Sequence, residues 1–300
     1  MHELSEADRF LLEAVQRGDE VGWTQLVQRY QGRLLAFARR QLRDHTTAED
    51  LVQDTFMEFL RSLSKFRRES SLETFLFAIL RYRLLDHYRK CKSELPIAEH
   101  WRLEDTRAAA AIDQDTSASW YARKDEANDI YRRVLAVVLG EMVRRCQTRH
   151  LFEDLMIVEL LFVAQLRNRD VAQQLNTTEN HVGLTKHRWL KRLQQGVAAA
   201  LEKTGEAAMP QDFMPADTML SNVWQQQRLS CPKRSTVGAH MLGTLDRPWH
   251  DYVTFHLETR ACEICCANLD DLKQQAHRPS DATLRNRILQ STIGFFNAPH

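Results

Sequence analysis

The spacing of apolar residues along this chain predicts helices. Over residues 23–38 they recur every three or four positions, and nothing in that stretch alternates with the two-residue period of a strand. The same spacing predicts further helices at 48–63 and 72–90. Thr46 or Thr47, with an acidic residue shortly after, is a suitable cap for the helix at 48–63.

A change in composition after residue 93 divides the chain into parts. The following stretch is rich in Glu, Asp, Ala, Thr and Ser and has little apolar periodicity, which is typical of a surface linker. Helical periodicity then returns at 120–145, 151–166, 170–175 and 178–201. We therefore predict an all-α fold with a helical domain at 1–93, a linker at 94–119, a second helical domain at 120–205 and a small helical Cys/His-rich module at 215–300.

Composition and charge exclude several classes of protein. Only 10 Gly and 7 Pro occur in 300 residues, which argues against a Gly-rich phosphate-loop enzyme, a collagenous chain or a turn-rich β-sandwich. The 41 Lys and Arg nearly balance the 40 Asp and Glu, so any affinity for nucleic acid must come from local basic patches. No stretch approaches the ~20 apolar residues of a membrane helix, and residues 1–20 carry no apolar core behind a basic start. We expect a cytoplasmic protein without membrane contact.

The segment 170–193 has the pattern of a helix-turn-helix. Two short apolar-periodic helices are split at Asn176, and the second helix of this motif enters the major groove of DNA. Thr178 is a good N-cap, and the first turn after it presents Glu179, Asn180 and His181. A basic stretch able to neutralise phosphates follows at Lys186, His187, Arg188, Lys191 and Arg192. The alternative is a solvated helix hairpin inside an all-α domain.

Two neighbouring helices of the first domain carry opposite charge. The helix at 48–63 exposes an acidic and amide face, which suits a basic protein partner. The helix at 72–90 carries Arg81 and Arg83 among four cations, with Lys92 just beyond it, and suits DNA. The break between them holds an aromatic, two cations and two hydroxyls: Phe66, Arg67, Arg68, Ser70 and Ser71. This combination can hold an unpaired base and its phosphates, because stacking contributes about 1–3 kcal/mol per base. Alternatively, the aromatics belong to the core and the cations only solvate the surface.

Four potential metal ligands lie in the last quarter of the chain. Cys262 and Cys265 form a Cys-x-x-Cys pair whose thiolates can reach one tetrahedral ion, and Cys231 and His256 complete a Cys3His set. Such a site is closed and structural, and the expected metal is zinc. Reduced, unliganded cysteines and a buried core histidine are the alternative, and Cys266 is a spare thiol. The chain lacks a His-Glu-x-x-His helix, so we expect no zinc or thiol enzyme.

Several of these segments together resemble a known family. The stretches AEDLVQDTF at 48–56, LETFLFAILR at 72–81 and LDHYRK at 85–90 resemble region 2 of bacterial extracytoplasmic function (ECF) sigma factors of the sigma-70 family. The segment 170–193 resembles their region 4.2, although Gly183 stands where the family usually has a basic residue. The order, spacing and linker agree, and the resemblance covers about half of the chain.

The resemblance implies a role in transcription initiation. The expected partners are core RNA polymerase, through its β′ clamp helices and β flap, promoter DNA and a separate anti-sigma protein. The implied polymerase-binding residues are Asp50, Gln53 and Asp54. The implied minus-10 residues are Phe66, Arg67, Arg68, Ser70, Ser71, Thr74, Arg81 and Arg83, and the implied minus-35 residues are Thr178, Glu179, Asn180, His181, Lys186, His187 and Arg188. The competing hypothesis is a helix-turn-helix regulator that acts without polymerase.

The Cys/His-rich tail is similar to zinc-binding anti-sigma domains. Those domains usually place the histidine three residues before the first cysteine of the pair, whereas five residues separate His256 from Cys262 here. The likeness implies that the tail acts as a built-in regulator, masking the polymerase-binding or DNA-binding faces.

Overall fold

The computed structural model describes residues 5–63, 66, 71–91, 119–204, 217–277 and 282–296. Every regular element within these ranges is helical, which confirms the predicted all-α class. The described residues form two compact units. The first unit combines the N-terminal part of the chain with its last helices, and the second contains the part between them. The predicted linker lies outside the described residues except for Ser119.

The first unit begins with four helices whose starts are explained by capping. Their bounds are α1, Glu6–Gln16; α2, Glu20–Gln41; α3, His45–Ser62; and α4, Leu72–Cys91. Ser5 caps α1 and Asp19 caps α2, each accepting a hydrogen bond from a backbone N–H of the first turn. The cap predicted at Thr46 or Thr47 is wrong, because Asp44 accepts from both of their backbone N–H groups. A carboxylate one turn earlier satisfies two orphan donors at once.

Aromatic side chains fill the core of the first unit. Trp23 stacks on Phe59, with ring centroids 6.2 Å apart, and meets the edge of Phe56 at 5.8 Å. All three side chains are buried. The apolar periodicity of α2 and α3 therefore describes two faces that pack on each other.

Two C-terminal helices complete the first unit. Helix α12, Glu263–His277, packs on α2, and helix α13, Ala282–Phe296, packs on both α2 and α3. Gly32 permits the close approach of α12, because a Cβ there would lie 1.9 Å from Oδ1 of Asp271. Helix α12 is further held by an ion pair of 2.7 Å between Arg40 and Asp270.

The second unit contains the predicted helix-turn-helix. Its α-helices are α5, Ser119–Thr148; α6, Phe152–Val158; α7, Asn168–Gln174; α8, Glu179–Thr204; α9, Asp217–Gln226; α10, Arg234–Met241; and α11, Arg247–Thr254. Two π-helical segments, Glu159–Val163 and Phe255–Thr259, continue α6 and α11. The break between α7 and α8 is as predicted: Asn176 adopts a positive φ of 51°, which asparagine tolerates better than most residues.

The structure divides the residues of the predicted third module between the two units. Residues 217–262 belong to the unit that contains the helix-turn-helix, whereas α12 and α13 belong to the N-terminal unit. Periodicity alone indicates that these helices have apolar faces, but it does not identify the surfaces on which the faces are buried.

Candidate polymerase-binding, DNA-binding and metal sites

The residues predicted to bind polymerase share the outer face of α3. The opposite face of α3 is buried through Leu51, Val52, Thr55, Phe56 and Phe59. Helical spacing therefore turns Asp50, Gln53 and Asp54 outward; both carboxylates are exposed and Gln53 is half-buried. We call these three residues the docking face.

A cation from the C-terminal helix α13 lies on this docking face. Arg287 Nη2 is 2.6 Å from Asp50 Oδ1 and donates to Gln53 Oε1 at 3.3 Å. Its Nη1 donates to Glu49 at 3.2 Å. Asp54 makes no ion pair with a described residue. The sequence carries no local signal for the role of Arg287, because its partners lie more than 230 residues earlier in the chain.

Helix α13 is also anchored below this polar rim. Leu284 and Ile288 are buried, and Thr292 is fully buried. Thr292 Oγ1 accepts a hydrogen bond of 2.7 Å from the indole N–H of Trp23. The contact between α13 and the N-terminal helices therefore combines an apolar centre, a buried hydrogen bond and a charged edge.

The residues predicted to hold the minus-10 element flank the start of α4. Phe66 packs on Phe75 with ring centroids 4.8 Å apart, and both rings are half-buried. Ser71 caps α4: its Oγ accepts from the backbone N–H of Thr74 at 3.1 Å and lies 2.8 Å from the Thr74 hydroxyl. The remaining loop residues of this set, Arg67, Arg68 and Ser70, lie outside the described residues.

The two predicted arginines of α4 contact protein groups. Arg83 Nη2 lies 2.7 Å from Glu58 Oε2 on α3, and the Arg81 guanidinium lies 6.0 Å from the centroid of the Phe37 ring. Both arginines are half-buried. Arg83 therefore has a structural role in joining α3 to α4, which sequence analysis did not assign.

The start of α8 presents the predicted recognition residues. The Thr178 hydroxyl accepts from the backbone N–H of His181 at 3.2 Å, as expected for the predicted N-cap. The exposed members of the set are Thr178, Glu179, Asn180, His187 and Arg188, and the half-buried ones are His181 and Lys186. Two acids of α6 approach this surface: Glu153 lies 3.6 Å from His181, and Asp154 lies 3.7 Å from Arg188.

The structure brings the four predicted metal ligands together. One potential ligand atom from each of Cys231, His256, Cys262 and Cys265 lies within 4.8 Å of all the others. The sulfur atoms of Cys231 and Cys262 are 3.8 Å apart, far beyond a disulfide bond. Two thiolates bound tetrahedrally at 2.3 Å from one ion are separated by about 3.8 Å. The cluster can therefore hold a metal ion, and three soft donors with one imidazole fit a closed tetrahedral site.

A π-helical segment explains the five-residue gap in the ligand pattern. His256 lies within Phe255–Thr259, and Ala261 then turns the chain with a positive φ of 50°. The backbone N–H of Cys262 donates to the carbonyl of His256 at 3.2 Å. Widening of the helix by one residue per turn thus absorbs the extra length and still places both side chains at one point.

A buried carboxylate outside the predicted ligand set contacts His256. Glu159 Oε2 lies 3.2 Å from His256 Nδ1 and 3.2 Å from Arg260 Nε, and its Oε1 lies 2.6 Å from the Tyr252 hydroxyl. Burial lowers the pKa of His256, but the Glu159 carboxylate and the neighbouring thiols outweigh burial and leave that pKa well above its usual value. Burial and Glu159 together raise the pKa of Tyr252.

Part of the first unit matches a known protein family. Residues 26–94 match the family Sigma-70 region 2. The chain therefore contains a sigma-70 region 2 domain, in agreement with the resemblance seen in the sequence. The match begins within α2 and includes α3, α4 and the docking face.

The relatives found for this part of the chain are RNA polymerase sigma factors. A probable RNA polymerase sigma factor of Haemophilus influenzae is 36% identical over 64 residues, which is 21% of this chain and 33% of the relative. The RNA polymerase sigma-H factor of Pseudomonas aeruginosa is 38% identical over 74 residues, 25% and 38% of the two chains. The ECF RNA polymerase sigma-E factor of Haemophilus influenzae is 36% identical over 72 residues, 24% and 38% of the two chains.

This chain therefore spans between 33% and 38% of the length of these relatives. No solved structure gives a significant match to the chain. None of the helices in the described part of the chain combines the length and the apolar character that a bilayer crossing requires.

Proposed function

We propose that this protein is an ECF-type sigma factor that binds core RNA polymerase and directs it to promoters, without catalytic residues of its own. The observation that carries the proposal is the sigma-70 region 2 match, which includes an outward-facing acidic surface on α3. Such a surface suits a basic helical partner, and by the family resemblance that partner is the pair of β′ clamp helices. A factor with this role works in the cytoplasm, where the polymerase is.

The proposal assigns promoter recognition to two separate surfaces. The aromatic pair of Phe66 and Phe75, with the cap of α4, would hold unpaired bases of the minus-10 element by stacking. The exposed start of α8, with Asn180 in the first turn, would read the minus-35 element in the major groove. Cations on α8 would neutralise phosphates, and the β flap is the expected polymerase contact of this domain.

We further propose that the C-terminal helix α13 restrains polymerase binding. Arg287 pairs with Asp50 and approaches Gln53, two of the three docking-face residues. While α13 is in place, a polymerase helix must displace it to reach them. A separate anti-sigma protein would compete for the same surface.

We propose zinc as the metal at the Cys3His cluster. Three thiols and an imidazole are ligands that zinc prefers, and a site with four protein ligands is structural. Cys231, His256, Cys262 and Cys265 would hold the metal, whose binding free energy would add to the stability of the fold around them.

Two charge reversals with opposite expected effects test the role of the docking face. Asp54→Lys places a positive charge opposite the basic polymerase helices, so affinity for core polymerase falls by about tenfold or more. Arg287→Glu places a negative charge next to Glu49 and Asp50, and the repulsion weakens the contact of α13 with α3. The affinity for core polymerase therefore rises about threefold to tenfold. Titration of labelled core polymerase into each full-length variant measures both changes.

Matched controls carry the same charge changes elsewhere. Arg285→Glu lies on α13 but forms no ion pair with a described residue, and Glu202→Lys lies on the exposed end of α8. Neither is expected to change polymerase affinity. Unchanged binding by Asp54→Lys would show that the docking face is misassigned. Tight duplex binding by the isolated chain, with no polymerase binding, would favour the regulator that acts alone.

A further inference from the structure

A single acidic side chain is buried in the most hydrophobic part of the chain. Glu159 lies between α6 and α7 at the start of the segment Glu159–Val163, and its side chain is fully buried. A buried carboxylate is costly unless donors surround it. Here Arg260 supplies a positive charge, and Tyr252 and His256 supply two further polar contacts.

The contact with Glu159 determines which nitrogen of His256 remains for other partners. Nδ1 lies 3.2 Å from the carboxylate, and because an ionised carboxylate can only accept, we assign the ring proton to Nδ1. Nε2 is buried and meets no nitrogen or oxygen partner among the described residues, and the thiols of Cys231 and Cys262 are close to the ring. A buried imidazole nitrogen without a partner is unfavourable, and the neighbouring thiols form the rest of a metal-binding group.

A second link connects the same carboxylate to the first cysteine of the cluster. The Tyr252 hydroxyl lies 2.6 Å from Glu159 Oε1 and 2.7 Å from the carbonyl oxygen of Ser230. Ser230 directly precedes Cys231. Glu159 is thus connected to two of the four candidate ligands. It contacts the His256 imidazole directly, and Tyr252 connects it to the backbone next to Cys231.

We propose that Glu159 is a positioning residue of the metal centre: its carboxylate holds His256 so that Nε2 binds the ion. This inference rests on the zinc site proposed above. Metal-binding histidines generally donate their second ring N–H to a carboxylate or carbonyl, which fixes the orientation of the ring and increases its basicity as a ligand. Glu159 follows α6 directly, so metal binding stabilises the packing of α11 and the π-helical segment after it against α6 within the same unit.

Zinc affinity of the full-length chain tests the proposal. Competition against a chromophoric chelator measures the zinc dissociation constant of the wild type, of Glu159→Gln and of Glu258→Gln. Glu159→Gln keeps the side-chain shape but loses the charge, and we expect about 10- to 100-fold weaker zinc binding with one ion still bound. Glu258→Gln is the matched control: it removes the same charge from an exposed side chain two residues after His256 and leaves affinity unchanged.

The remaining outcomes separate this inference from the zinc proposal. No zinc binding by the wild type would overturn both, whereas wild-type affinity in a folded Glu159→Gln variant would overturn only the positioning role. The metal-binding nitrogen of His256 can also be identified in the wild type, without a variant. Nitrogen NMR of histidine-labelled, cadmium-loaded wild type should show metal coupling to Nε2 and a protonated Nδ1 at His256. Coupling to Nδ1 would contradict the proposal even if Glu159→Gln fails to fold.

Discussion

The two surfaces proposed to bind macromolecules differ in what covers them. On α3, the docking face is contacted by Arg287, which another helix of the same unit supplies. On α8, the residues proposed to read duplex DNA are mostly exposed, Asn180 and His187 among them. Helix α13 thus lies on the docking face, whereas the α8 surface is approached by two acids of α6 and is otherwise mostly exposed. We call this α8 surface the open surface, and the proposed control acts on polymerase capture.

The composition of the covered surface indicates what holds α13 in place. The ion pair of Arg287 with Asp50 lies at a partly exposed rim, where such pairs contribute at most about 1 kcal/mol. Leu284 and Ile288 are buried beneath it, and full burial of such a side chain contributes about 1.5–3 kcal/mol. The apolar contact therefore supplies most of the binding free energy of α13, and Arg287 sets its position over the docking face.

Removal of the covering helix should produce the largest effect. A chain that ends after His277 loses α13, and we expect its affinity for core polymerase to rise about 100-fold, because the competing apolar contact is gone. Titration of labelled core polymerase measures the change. Thermal unfolding is followed in parallel, because the truncation removes the hydrogen-bond partner of Trp23. A folded, truncated chain with wild-type affinity would show that α13 is no restraint.

A change on the open surface should act on DNA alone. Asn180 is exposed in the first turn of α8, where an amide can bind a base edge in the major groove. Asn180→Ala should weaken binding of a promoter duplex by the polymerase complex by about 2 kcal/mol, roughly 30-fold. Because this surface and α13 belong to different units, the loss should be the same in the Arg287→Glu background. A loss that depends on residue 287 would contradict the division between the two surfaces.

The sequence predicted local structure well, because capping and helix breaks leave short-range signals. The helix expected at 23–38 is observed as Glu20–Gln41, and the Asn176 break and the Thr178 cap lie where the pattern placed them. The grouping of Cys231, His256, Cys262 and Cys265 was also predicted, since the Cys-x-x-Cys pair places two thiols within one turn. The sequence did not predict the local fold between His256 and Cys262, where the π-helical segment accommodates the five intervening residues.

Contacts between residues far apart in the chain could not be predicted from the sequence, for a physical reason. Periodicity shows that a helix has an apolar face but not which face it meets, so the packing of α13 on α3 could not be derived. Glu159 was missed for a related reason: its partners Tyr252 and His256 lie 93 and 97 residues away. The only available signal was one acid inside a strongly apolar run, and such an acid requires a buried donor.

The smallest expected effect comes from a glycine within the open surface. A Cβ at Gly183 would meet only Asn168 Nδ2, at an ordinary 3.8 Å, so Gly183→Ala should stabilise α8 by about 0.5–1 kcal/mol through its higher helix propensity. Gly196 is the matched contrast in the same helix, because its Cβ would lie 2.6 Å from Val138 Cγ1 and overpacking destabilises. Hydrogen exchange of the α8 amides should slow in the first variant and accelerate in the second. Because neither glycine lies in the unit that α13 covers, polymerase affinity should change in neither, and a change would show that the two surfaces are coupled.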